Sequence, residues 1–142
     1  MGLDAQKEKR YNYMKKIATV MIAAVLCVMC FAGCDKYTSK YNAVGFVHSN
    51  TSKEASMSFF EFEGTMVFEL ESSGDQLRYS AKLEKGSASV CYDIDGIRKD
   101  LFKLNAGEKT SASVSGFENK KVTIIIETNG KCENGDFKFE AE

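Results

Sequence analysis

Five cysteines, one histidine and a few closely spaced carboxylates are the side chains on which chemistry could rest in this 142-residue chain. Cys27 and Cys30 form a C-x-x-C pattern, but they sit inside an uncharged apolar run where no redox partner would reach them. Cys34 follows that run directly, whereas Cys91 and Cys132 lie far downstream. With Cys34 set aside, Cys91 and Cys132 are an even pair. A bridge between them would close a loop of about 40 residues and add ~2–4 kcal/mol by restricting the unfolded chain. Two independent thiols are the alternative, because pairing demands Cα atoms within about 7 Å, which spacing alone does not establish. His48 is the sole histidine, so multi-histidine zinc sites are excluded and any Ser-His-Asp or Cys-His scheme would hang on this one ring.

The carboxylates carry weaker signals. Asp93-x-Asp95-Gly96, with Asp100 nearby, brings acid oxygens to a tight turn where Ca²⁺ could be held. Ca²⁺ takes six to eight oxygens, and a full loop ending in a bidentate Glu is missing, so the reading is a hairpin turn and no metal site is expected. Glu61, Glu63, Glu69 and Glu71 could be imagined as a glycosidase acid and base, but Glu alternating along a strand marks a solvated face. No G-x-S-x-G, phosphate-binding glycine loop or H-E-x-x-H occurs. A non-enzyme without a cofactor is therefore expected. Tyr37, Tyr41, Tyr79 and Tyr92 could stack on sugars or anchor a protein, although Tyr79 and Tyr92 fall on apolar strand faces and there is no Trp. Nineteen basic against twenty acidic residues, with no basic cluster, argue against nucleic acid as a partner.

The segments that must position these residues divide the chain. Residues 7–16 hold five Lys and Arg, and Ile17 to Phe31 is an apolar stretch of 15 residues, short of the ~20 needed to span a bilayer as a helix. This is a basic n-region followed by an h-region; Met14 would begin a compact version of it. Between residues 34 and 142 there are 14 Lys and Arg against 18 Asp and Glu, a mildly acidic remainder. Its hydrophobic period is two. Gln76 to Glu84 puts Leu77, Tyr79, Ala81 and Leu83 on one face and charge on the other, as a half-buried antiparallel strand requires. Thr65–Glu71 and Ser87–Asp93 alternate likewise, Asp95-Gly96 suits a two-residue hairpin, and Val122 to Ile126 is a β-branched run that reads as a central strand buried on both faces. Ala43–His48, Met57–Phe62, Leu101–Leu104, Thr110–Ser115 and Asp136–Glu140 complete the set, with Asn129-Gly130 and Asn134-Gly135 read as bracketing a turn region. The expectation is an all-β domain over residues 43–142, an antiparallel β-sandwich of about eight or nine short strands.

Two resemblances add to this. The run Phe31-Ala32-Gly33-Cys34 resembles the lipobox of a bacterial lipoprotein precursor, with Ala32 and Gly33 matching and Phe31 standing where an aliphatic residue is usual. The resemblance implies a helical signal segment over residues 1–33, cleavage after Gly33 and a diacylglyceryl thioether on Cys34. Residues 34–42 would be a tether, and the domain would be held on the outer side of the cytoplasmic membrane, or in the periplasm where an outer membrane exists. A plain secretory signal and a retained membrane helix are the competing readings. The order Phe68-Glu69-Leu70, Leu77-Arg78-Tyr79, Val90 to Gly96, Val122 to Ile126 and Gly135 to Phe139 is similar to small jelly-roll domains of bacterial envelope lipoproteins, of the pre-peptidase C-terminal and carbohydrate-module type. This resemblance implies a non-catalytic binding or interaction module for an envelope protein or a glycan. A carbohydrate-recognising module is the first alternative, and a small hydrolase with a carboxylate pair is the second.

Overall fold

The computed structural model describes residues 36–142. The signal segment 1–33, with Cys27 and Cys30, and the lipidation candidate Cys34 lie outside the described residues. The rest folds as nine strands: β1 (Lys40–Val44), β2 (Val47–Asn50), β3 (Glu54–Glu71), β4 (Gln76–Lys85), β5 (Ala88–Ile94), β6 (Ile97–Leu104), β7 (Lys109–Ser115), β8 (Lys121–Thr128) and β9 (Cys132–Ala141). All pairings are antiparallel, in the order β6-β5-β8-β3-β9-β4-β7, with β1 and β2 on the other edge of β3. Among the described residues no helix is long and apolar enough to cross a membrane.

The sheet becomes a jelly-roll-like sandwich because β3 serves both layers. Its first half pairs with β9, from Glu54↔Glu140 to Phe62↔Cys132; its second half pairs with β8, from Thr65↔Glu127 to Glu71↔Lys121. We call the layer β2-β3-β9-β4-β7 the front and the layer β3-β8-β5-β6 the back. Rings from strands that are not neighbours in the sheet meet between them: Phe102 of β6 stacks on Tyr79 of β4 at 4.8 Å and lies 6.4 Å from Phe139 of β9. The two ends of β3 also close on each other, since the Glu71 N–H donates to the Ser52 carbonyl at 2.7 Å.

Taking one strand from layer to layer changes which residues face inward. Ala55, Met57 and Phe59 are buried on the front half, then Phe62, Met66, Phe68 and Leu70 on the back half, so the alternation shifts by one between Phe59 and Phe62. Gly64 supplies the backbone for the corner: its φ is +132°, and a Cβ there would lie 2.3 Å from the Lys40 carbonyl oxygen of β1. The sequence reading of two strands, Met57–Phe62 and Thr65–Glu71, is thus corrected to one bent strand, because a glycine bend keeps the hydrogen-bond ladder running where a loop would end it.

Other boundaries also differ. Gly45, at φ +59°, divides the stretch read as one strand at Ala43–His48 into β1 and β2. β1 begins at Lys40, inside the stretch read as a tether at 34–42. Asn134-Gly135 is not a turn but lies within β9, where Gly135 is paired on both sides with Phe59 and Leu83 and the Phe59 ring occupies the space a side chain would need. The Asp95-Gly96 hairpin has both residues at positive φ, and Ile124, Ile125 and Ile126 are all buried on interior strand β8, as their composition implied.

Replacing Gly64 with Ala is expected to cost at least about 2 kcal/mol, from backbone strain and the clash with β1. Gly130→Ala, at φ +77° with open space around it, should cost only about 1 kcal/mol. Urea midpoints at constant m-value check the difference, and equal losses would remove the special role given to the corner.

Candidate functional site

Cys91 alternates with Val90 and Tyr92 on β5, and because those two face the core, Cys91 faces outward from the back layer. Its thiol donates to Asp100 Oδ1 at 3.3 Å, and Arg98 donates to its sulfur at 3.6 Å. Burial pushes this thiol up; the Arg98 guanidinium pulls against that, and Asp100 adds to it. Cys132 belongs to the core, where its Sγ donates to the Ser87 carbonyl at 3.3 Å and burial again raises it. Both are free thiols. The bridge left open by the sequence does not form here, because one sulfur lies on the outer face of the back layer and the other inside the sandwich.

The carboxylates read as Ca²⁺ candidates are engaged with protein partners. Asp93 is buried and accepts the Tyr37 hydroxyl at 2.7 Å, and Asp95 pairs with Lys120 at 2.8 Å. Among the described residues no three His, Cys, Asp or Glu side chains gather as a metal site. Glu61 pairs with Lys131 at the corner and Glu69 with Lys121 on the back layer, while Glu63 is exposed opposite Asn42 of β1 and Glu71 lies at the end of β3. His48 stacks on Phe46 at 5.0 Å, and Tyr41 stacks on Phe62 at 5.2 Å. Tyr79 and Tyr92 pack inward against Phe102 and Phe117.

Tyr37 marks the difference between the two outer faces. Its hydroxyl holds Asp93 of β5, the Arg98 guanidinium of β6 lies 5.8 Å over its ring, and two residues on the Ser39 hydroxyl accepts the Val67 N–H of β3 at 2.9 Å. The segment entering the domain is therefore tied down across the back layer.

The front layer's outer face is built by three antiparallel pairings that set polar residues in rows. One row runs Val47, Ser58, Asp136, Lys82, Lys109 across β2, β3, β9, β4 and β7; the next runs Ser49, Ser56, Lys138, Ser80, Ser111. Small serines beneath longer lysines leave an open groove of about 570 Å³ lined by Ser80, Lys82, Lys109, Ser111, Asp136 and Lys138. A second hollow of about 270 Å³, lined in part by Gly45, Ser58 and Phe60, shares Lys82 and Asp136 with it. Phe60 is 67% exposed, and its ring lies against Gly45, where a Cβ would be 2.1 Å from it. Further along, Lys138 holds Glu140 at 2.7 Å, which keeps the Glu140 carboxyl below the usual range and raises the lysine, and Arg78 pairs with Glu142.

None of these groove residues stands out in the sequence. Their only trace is the polar half of each alternation, Arg78-Ser80-Lys82 and Ser111-Ser113-Ser115. That β4 sits between β7 and β9, bringing three lysines together, is decided by pairings between strands far apart in the chain.

No protein-family model and no curated protein matches the chain. Among solved structures it is similar to the carbohydrate-binding module TmCBM61 in complex with β-1,4-galactotriose, at 16% identity over 75% of this chain and 82% of that one, TM-score 0.37. An RmlC-like cupin family protein of double-stranded β-helix fold from Methanocaldococcus jannaschii matches at 14% identity over 77% and 93%, TM-score 0.37. The C-terminal CBM6 of LamC from Zobellia galactanivorans matches at 13% identity over 72% and 99%, TM-score 0.34.

Two raised, buried thiols have a chemical signature. Iodoacetamide at pH 8 should leave Cys91 and Cys132 unmodified in the folded protein, because little thiolate is present and access is poor. In denaturant without reductant both should react. Peptide mass mapping reads the result, and protection that persists until reductant is added would show a disulfide instead.

Proposed function

We propose that this chain is a non-catalytic, lipid-anchored binding module of the bacterial cell envelope, and that the outer face of the front layer is where it takes its ligand. The observation that supports this reading is the asymmetry of the two faces. Tyr37 and Ser39 tie the incoming chain to the back layer, while the front layer carries an open groove of about 570 Å³.

A diacylglyceryl group on Cys34 would anchor stably, as two acyl chains do and one does not. Cys34 is three residues before Tyr37, a reach of roughly 10 Å. An anchor there would hold the back layer toward the bilayer and leave the groove facing away from it. Absence of catalysis is supported by the carboxylates weighed above for acid–base work. Glu61 and Glu69 face different lysines on different parts of β3 and form no opposed pair across a cleft.

Two measurements test the reading. Labelled palmitate fed to the native host should mark the wild-type protein and not Cys34→Ser, and the variant should move from the detergent phase to the aqueous phase on Triton X-114 partition. Recovery of a mature protein with Cys34 unmodified would overturn the anchor. Full-length protein should be retained on purified envelope fragments, and Ser80→Trp, which fills the groove with a side chain that strands accept, should weaken retention about tenfold. Unchanged retention would remove the groove from the account.

A further inference from the structure

We infer that the groove takes an anionic polysaccharide, a glycan chain bearing carboxylate or phosphate groups, and that Lys82 and Lys109 hold its charge; this rests on the groove being the ligand face. The observation that carries it is an uncompensated pair of like charges. Lys82 and Lys109 are direct partners across β4 and β7. Neither side chain forms an ion pair or a hydrogen bond with a described residue.

Like charges set opposite one another on adjacent strands destabilise a sheet. Elsewhere among the described residues such pairs are relieved by an opposite charge: Glu61 faces Glu133 and both reach Lys131, and Glu54 faces Glu140, which Lys138 holds. In the groove Lys82 and Lys109 stand side by side with no ion pair to a described residue, and an anion seated between them would cancel their repulsion. Asp136 flanks Lys82 on the side away from Lys109. The charge of the ligand therefore belongs over the gap between β4 and β7, and Asp136 is left to accept hydrogen bonds from hydroxyl groups.

The remaining lining favours sugar over an acidic protein. Ser80 and Ser111 in the groove and Ser58 in the adjoining hollow offer short hydroxyls that both donate and accept, matching a ligand rich in hydroxyls. Protein interfaces are centred on large aromatic and aliphatic side chains in a well-packed core, whereas this groove, floored by Ser80, Ala81, Thr110 and Ser111, holds no large apolar side chain. A large apolar side chain stands in the adjoining hollow, where the exposed Phe60 ring beside Gly45 presents a flat face for the apolar side of a pyranose. The five strands under the row from Val47 to Lys109 span about 19 Å, which suits an extended polymer better than a lone small anion.

Affinity electrophoresis of the full-length protein separates the outcomes, with each mobility compared with that in a polymer-free gel. Polygalacturonate should retard the wild type, increasingly so at low ionic strength. Lys82→Gln and Lys109→Gln should each weaken the effect about tenfold, which is ~1.4 kcal/mol, and Phe60→Ala should weaken it as well. Neutral galactan and polyglutamate should not retard the protein. Lys109→Gln should leave the thermal midpoint unchanged or higher, since it relieves repulsion, so lost binding would not reflect lost folding. Equal retardation by neutral galactan, or Gln variants that bind as the wild type does, would overturn the anionic part; equal retardation by polyglutamate would overturn the glycan part. If Ser80→Trp weakens envelope retention while the lysine variants do not, the inference falls and the groove stands; if neither matters, both fall.

Discussion

The structure depends on β3 passing round a corner without losing its hydrogen bonds. Eighteen residues run from the front layer to the back; the ladder with β1 continues through Gly64, while on the other edge β9 pairs up to Phe62 and β8 from Thr65, and the Gly64 N–H between them donates to the Thr128 hydroxyl at 2.9 Å. A strand that turned by ending would leave backbone groups unpaired at the sandwich margin, each costing about 1–3 kcal/mol when buried. Turning by a bend instead requires the inward-facing set to change phase, and Phe59 and Phe62 stand at that change. Around them Phe46, Tyr41 and Phe137 fill the corner with aromatic rings 5.0–6.3 Å apart.

That corner also determines which surfaces exist. Because β8 and β9 follow the two halves of β3 apart, β5 and β6 build out the back layer and β4 and β7 the front. The back layer meets the segment that enters the domain: Tyr37 reaches Asp93 and Arg98, and Cys91 is buried on the same face. On these strands Arg98 is matched by Glu127 and Glu69 by Lys121. The front layer has serines where a neighbour would need bulk and lysines where a neighbour would need carboxylates, so its charges are matched less completely.

Much of this fold is legible along the chain because the relevant forces are local. Alternation in Gln76–Glu84 requires a two-faced strand; Asp95-Gly96 requires a tight turn because both positions tolerate positive φ; the isoleucine run requires burial on both faces. The readings that fail do so where a local signal is overridden by a partner. Asn134-Gly135 has turn chemistry, yet it is clamped between β3 and β4, and its glycine serves to admit the Phe59 ring. Gly64 gives no sign that its bend joins two strands into one. Cys91 and Cys132 look like a pair until the layers are assembled, when they fall on opposite sides of a sheet.

What the chain determined by itself is therefore the strand period, the hairpin at Asp95-Gly96 and the interior place of the isoleucine strand, all set by neighbours within a few residues. Which strands pair, and in which register, was decided only in three dimensions, because β4 lies between β7 and β9 through contacts separated by about 27 to 64 positions in sequence. Lys82, Lys109 and Lys138 are unremarkable surface lysines when read singly. They become one site because a one-residue slip in any of those pairings would turn them to the other face, and only the closed core of phenylalanine and leucine prevents that slip.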